Sequence, residues 1–352
     1  MAKSKETTNK QLEVIGEDAK CKKIKPLSNP LSNISKQKEM KRIYTYSIVA
    51  TILIVLLAAC GQNKKSDSNS DNQTPLKVVT TFTIIEDIAR EIGGSDIEIH
   101  NLVPIGAAPH EYEPLPIDMK KTSDADILFY NGLNLEGGKS GWFFRMTNSV
   151  GQKEENLYSL TKGVQPMYLS DREGRKEEIN PHSFVNPVVG IIMAQNIRDV
   201  FIEKDPSRRE NYEKRTAIYL EKLRAIDKEY KEKIADIPEE RRILVTSEHA
   251  FQYMTNQYGL KEAYIWSIDT EETGSPEQIK ALIGFIKQHN VPMLFVESNV
   301  DKRPMQMVSS ETNIPISKKP IYSDEIGKQG GEVDSYLKFL QYNIDLIYEE
   351  LK

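Results

Sequence analysis

From Asp205 to Ile234 the chain reads DPSRRENYEKRTAIYLEKLRAIDKEYKEKI, with no glycine and no proline after Pro206. Tyr212, Thr216, Tyr219, Leu223, Ile226, Tyr230 and Ile234 recur at spacings of three and four, a single stripe along a helix. Glu210/Lys214, Asp227/Lys231 and Glu229/Lys233 place an acid four residues before a base, the better order on an exposed face. Asp205 suits an N-cap and Pro206 the first helical position, where a missing N–H costs nothing. The helix should end before Pro238. At 1.5 Å per residue it would run about 40 Å. A surface helix of a single domain would show the same stripe. Strand–helix alternation on both sides of it favours a strut joining two lobes.

Before the strut, the pattern predicts a strand at Leu76–Thr81 and a helix to Ile92, stopped by Gly93 and Gly94. Strand Ile97–Val103 leads into the loop Pro104–Pro116, and a helix from about Leu115 precedes strand Ile127–Asn131. Trp142–Val150 reads as helix, Val164–Tyr168 as a short strand, and Leu169–Ile179 as a charged loop without histidine. Helical pattern resumes at Pro187. Beyond Pro238, strands are predicted at Ile243–Ser247, Ala263–Ile268, Met293–Glu297 and Pro315–Tyr322. Helices are predicted at His249–Tyr258, Pro276–Gln288, Pro304–Glu311 and Tyr336–Leu351. Such alternation implies parallel sheets covered by helices, an α/β fold.

The 352 residues accommodate two domains of ordinary size, and a 39% hydrophobic content suffices for real cores. Residues 1–60 carry 11 Lys/Arg against 5 Asp/Glu, so the chain's net −5 hides a body of about −11. No clustered basic face points to nucleic acid. Met40-Lys41-Arg42 opens an apolar run, Tyr44–Ala59, too short to span a membrane but suited to a secretory signal. It ends Leu57-Ala58-Ala59-Cys60-Gly61, which resembles the lipobox of bacterial lipoproteins. That resemblance implies cleavage before Cys60, acylation of its thiol, and lipid anchoring on the outer side of the cell membrane. Cys21 would leave with the leader, so disulfides contribute nothing to the mature fold. Residues before Met40 read as an upstream start or a cytoplasmic tail. Residues 1–59 are thus extension and signal, and 60–75 a polar tether. The lobes fall at 76–204 and 237–352, with the strut at 205–236.

There are five histidines. His110 lies in GAAPHEYEPLP and His182 in NPHSFVNP, both proline-bounded loops. Glu248 follows the strand ILVTS and opens a helix, and Asp324 follows PIYS. Each lies where the strand ends of an α/β sheet present ligands. Two imidazoles and two carboxylates could enclose one divalent cation. Loop histidines are often merely exposed and carboxylates at helix starts are often caps, so the residues alone leave the metal reading open. His100 and His289 read as structural, and His249, beside Glu248, as ambiguous.

GAAPHEYEP, DADILFYNGLNLE, PHSFVNP, TSEHAFQYMTNQYGL, AYIWSIDTEETGSPEQI, LFVESNVDKRP and the aspartate of IYSDEIG occur in that order. Together they resemble the metal-binding lipoproteins of manganese and zinc ABC importers, the surface-adhesin type of bacterial solute-binding protein family 9. The resemblance covers nearly everything after Pro75. It implies two (β/α)-type lobes with parallel sheets, one long rigid helix between them, and a metal site in the interlobe cleft. It places the metal ligands at His110, His182, Glu248 and Asp324. The implied partners are an ABC permease and its ATPase, the divalent ion, and the membrane through the lipid anchor. The protein is expected to be a monomer without nucleic acid or enzymatic activity. Manganese is the expected cargo, because no histidine-rich loop is present and a carboxylate stands where zinc specialists carry a third histidine; zinc and iron are the alternatives. Adhesion is a possible second role, and a zinc hydrolase or a dedicated adhesin are the readings of a different class. Ala108 and Asn180 stand where the family usually has acidic residues, and His249 where it has a small one. The expected cost is a lost partner for an imidazole.

Overall fold

The computed structural model describes residues 74–169, 178–268 and 274–352. The signal, Cys60 and most of the tether lie outside these residues, as does most of Leu169–Ile179.

Strands and helices alternate through the first half of the described chain: β1 (Leu76–Thr80), α1 (Thr83–Gly93), β2 (Ile97–Asn101), α2 (Pro116–Ser123), β3 (Ile127–Tyr130), α3 (Trp142–Ser149) and β4 (Leu157–Ser159). All pairings are parallel, in the order β2-β1-β3-β4. Val78, Val79, Ile127, Leu128 and Phe129 are buried in succession, as a sheet covered on both faces requires. Gly94, at φ 55°, stops α1 in a conformation that glycine adopts without steric cost. The fourth strand departs from the sequence expectation, being Leu157–Ser159 rather than Val164–Tyr168. Three residues leave too short a run for alternation to register. Tyr168 instead begins β5 (Tyr168–Leu169), which pairs antiparallel with β6 (Glu178–Ile179), so the ends of the expected loop are strand.

Helix α4 (Pro187–Lys204) then turns into α5 (Arg209–Asp236), the expected strut. The second half runs β7 (Ile243–Glu248), α6 (Gln252–Tyr258), β8 (Lys261–Trp266), α7 (Pro276–Gln288), α8 (Arg303–Thr312) and α9 (Tyr336–Leu351). Strands β7 and β8 pair in parallel. The two further strands expected here are reduced to single parallel bridges, Leu294–Ile316 and Glu297–Ile321. Pro292, Pro315 and Pro320 have no N–H to donate and interrupt any longer ladder. Even so, Phe295 N–H donates to the Val245 carbonyl and Ile321 N–H to that of Val296. The segments therefore lie in the order second, first, third, fourth, matching the first sheet.

Every residue of the α5 stripe is buried, from Tyr212 to Ile234. The helix packs against α4, α1 and α9, so its apolar face is covered along its length. Tyr230 donates its hydroxyl to the Leu340 carbonyl at 2.8 Å, and Arg215 reaches the carbonyls of Ile92 and Gly93. The N-terminus differs from expectation. Pro206–Arg208 forms a 3-10 turn, and the Asp205 carboxylate accepts from Ser207, Arg208 and Tyr212 side chains instead of capping α5.

Asp87 of α1 accepts the N–H of Tyr336 at 2.8 Å, and burial pushes its carboxyl up from 3.8 to about 7. A raised folded value means the folded chain holds a proton that the unfolded chain has released. This contribution to stability is present below about pH 4 and is lost as pH rises through 7. Metal-free protein should therefore melt at lower temperature at pH 7.5 than at pH 5, and Asp87→Asn should flatten that slope. An unchanged slope in the variant, by calorimetry, refutes the assignment to Asp87.

Candidate metal centre

The loop that carries His110 is organised by Asp118. As the third residue of α2, Asp118 accepts the Leu115 N–H and the Tyr112 hydroxyl, and His100 contacts its other oxygen at 2.8 Å. Trp142 Nε1 donates to the Pro109 carbonyl, pinning the residue before His110.

His182 precedes the 3-10 turn Ser183–Val185 and is wholly buried. Asn180 Oδ1 accepts both the His182 backbone N–H, at 3.0 Å, and ring Nδ1, at 2.8 Å. With Nδ1 donating, Nε2 presents a lone pair. The expected loss of an orienting partner at position 180 does not occur, because the amide oxygen takes that role.

Glu248 is the last residue of β7 rather than the start of a helix, since α6 begins at Gln252. Its N–H and that of Ser247 donate to the buried carboxylate of Glu297, which burial pushes up to about 7. Asp324 lies three residues past the Ile321 bridge, with Oδ2 near donors on Ser323 and Asn299, at 3.2 and 3.4 Å.

These four segments bring four side chains to one point. Nε2 of His182 lies 3.2 Å from Nε2 of His110, 3.4 Å from Glu248 Oε1 and 3.3 Å from Asp324 Oδ1. His110 Nε2 stands 3.9 and 4.0 Å from the same two oxygens. One donor atom from each residue falls within 4.8 Å of all the others, and all four residues are buried. Donor atoms about 2.1 Å from a common tetrahedral centre stand about 3.4 Å apart, so the spacing is that of a shell around one ion.

The charges agree. Burial, partly offset by the nearby Asp324 carboxylate, lowers His110 to about 4, so it is a neutral ligand at pH 7. Burial works against ionisation of Asp324, while attraction to the His182 ring, and less to His110, when these carry protons pulls its carboxyl below the usual range. Two ring nitrogens and two carboxyl groups, all buried, thus converge on one point, an arrangement that a cation relieves.

The other histidines stay outside the cluster. His249 stacks on Tyr264 with centroids 4.0 Å apart and lies 3.4 Å from Glu262, and His289 stacks on Phe285. Sequence reasoning missed Glu297 and Glu136, and took Asn180 for a lost partner. Glu136 accepts the N–H groups of Asn131 and Gly132 and the Thr81 hydroxyl at the sheet edge. A glutamate inside the apolar run LFVES was the available signal for Glu297.

Residues 78–350 match the family described as ZnuA, zinc-uptake complex component A, periplasmic. The metal ABC transporter substrate-binding lipoprotein SsaB of Streptococcus sanguinis is 47% identical over 314 residues, 89% of this chain and 99% of that protein. The manganese ABC transporter substrate-binding lipoprotein PsaA of Streptococcus pneumoniae is 45% identical over 313 residues, with the same coverage. Among solved structures, the Mn-bound periplasmic metal binding protein of Candidatus Liberibacter asiaticus superposes with a TM-score of 0.71 at 28% identity. It covers 79% of this chain and 100% of that one.

Proposed function

The chain belongs to the ZnuA family of metal-uptake components, and from that premise we propose that it captures a divalent transition-metal ion outside the cell membrane and delivers it to an ABC permease and its ATPase. His110, His182, Glu248 and Asp324 hold the ion. The observation that carries this reading is the convergence of their four buried donor atoms within 4.8 Å. Each residue has one task. His110 arrives neutral, and the His182 ring is oriented by Asn180. The carboxylates supply two negative charges that neutralise the ion as it sheds water. Four protein donors leave little room for a water nucleophile, which favours capture over hydrolysis.

Manganese is the cargo in this reading. Half of the donors are carboxylate oxygens, which suit manganese, while the affinity order at a mixed site places zinc above it. Zinc should accordingly bind at least as tightly in vitro, and selection rests on geometry and release. The relatives from Streptococcus mitis, anginosus and pneumoniae are named for manganese. The mature chain begins at an acylated Cys60 and acts as a monomer. A glycine-free α5 packed along its length makes a poor hinge, so the lobes shift little until the permease draws the ligands apart.

Growth and uptake in a strain lacking the protein test the cargo. Added manganese should rescue growth, and radiolabelled manganese accumulation should fall. Rescue by zinc alone, with manganese accumulation unchanged, overturns the manganese reading.

A further inference from the structure

We propose that two hydrogen-bonded ties, Asn180 to the His249 carbonyl and Glu325 to the Gly106 N–H, set how long the captured cation stays bound. The inference rests on the metal-capture reading and adds to it the residues that control release.

Asn180 uses both ends of its amide. While Oδ1 holds His182, Nδ2 donates to the His249 carbonyl at 2.8 Å and to Gln252 Oε1 at 3.1 Å. Glu325 Oε2 accepts the Gly106 N–H, and Oε1 lies 3.3 Å from the Ser298 hydroxyl. The neighbouring Ile326 N–H donates to Thr83 Oγ1, a second bond between the same two parts of the chain. Both tie residues are buried, Asn180 completely and Glu325 to 8% exposure.

Their positions relate them to release. The first tie spans 69 residues and the second 219, and each joins the part of the chain holding β1–β4 to the part holding β7 and β8. All four ligands sit beside a tie. His182 is two residues after Asn180, Glu248 directly precedes His249, His110 is four residues after Gly106, and Asp324 directly precedes Glu325. His182 therefore cannot part from Glu248, nor His110 from Asp324, without straining one of these bonds; the Asn180–His249 bond is shielded from water at both ends, while Gly106 lies on an exposed turn. Such bonds cost most to break when nothing replaces them. Release must part these segments, whereas capture closes them around the ion. The ties should act on the dissociation rate and little on association.

The test loads the full mature protein with Mn²⁺ and follows metal loss into excess chelator by stopped flow. Asn180→Asp keeps an acceptor for His182 but loses the donor to His249, and Glu325→Ala removes the second tie. Asn180→Asp should accelerate loss roughly tenfold, the scale of one buried hydrogen bond, and Glu325→Ala several-fold, with association changed less than about threefold. Glu325→Gln keeps a carbonyl oxygen for Gly106 and should restore most of the residence time. Loss rates within about twofold of wild type in both disrupted variants, or equal acceleration in Glu325→Gln and Glu325→Ala, overturn the proposal. Should the wild type bind neither Mn²⁺ nor Zn²⁺, the functional reading fails by itself. Amide exchange at Gly106 in metal-free protein then still judges the second tie: it is protected in wild type and Glu325→Gln and released in Glu325→Ala, and equal protection in all three refutes it.

Discussion

Glu248→Gln should reduce affinity for Mn²⁺ and Zn²⁺ by at least about 100-fold, since even partners behind the ligands typically cost 10- to 100-fold. The metal-free variant should nevertheless melt no lower than wild type. Glu248 Oε1 lies 3.4 Å from His182 Nε2, close to Asp324 Oδ1 within the same cluster, and is wholly buried. Removing one negative charge from facing carboxylates relieves repulsion in the empty site, while Gln preserves the volume and the backbone bonds to Glu297. In wild type, metal at a thousand times its dissociation constant adds about 4 kcal/mol of stability by mass action, and the variant should lose that increment. Asp324→Asn and His182→Ala should lose affinity on the same scale. Calorimetry of binding together with thermal melting checks both halves. Wild-type affinity in Glu248→Gln would remove that residue from the site. A lower melting point in the metal-free variant would mean that Glu248 is structural instead.

Cys60→Ala should move the protein from membrane to soluble fraction or leave it unprocessed. The motive is the sequence Met40-Lys41-Arg42, the apolar run to Ala59 and the lipobox-like Leu57-Ala58-Ala59-Cys60. A single acyl chain anchors weakly and two or more hold firmly, so loss of a diacylglycerol at Cys60 should be close to all-or-none. Fractionation and N-terminal analysis measure it. A variant that stays membrane-bound with the same processed N-terminus contradicts the anchor.

Much of this architecture was legible because its signals are local. The α5 stripe needs only a spacing of three and four, and all seven of its positions are buried. The two predicted helices bounded by clear stops, Pro276–Gln288 and Tyr336–Leu351, match the structure residue for residue. Elements that depend on partners were not legible. The three residues of β4 are strand only because β3 lies beside them. The extended segments near Leu294 and Ile316 carry apolar strand-like sequence, yet neighbouring prolines reduce their pairing to single bridges. Asp205 looked like a cap, but three side chains compete for its carboxylate. The four candidate ligands followed from motif resemblance, which reaches chain segments that no spacing rule connects. Glu297 could not be found that way, and position 180 was marked only as a lost acid, because the role of each lies in which backbone groups it meets across the fold.

One ion should sit among four named atoms. Anomalous diffraction from crystals grown with Mn²⁺, recorded above and below the manganese edge, addresses it directly. A single strong peak is expected roughly 2.0–2.4 Å from Nε2 of His110, Nε2 of His182, Glu248 Oε1 and Asp324 Oδ1. A peak bonded to other residues, or none in protein shown by elemental analysis to carry stoichiometric manganese, would contradict it.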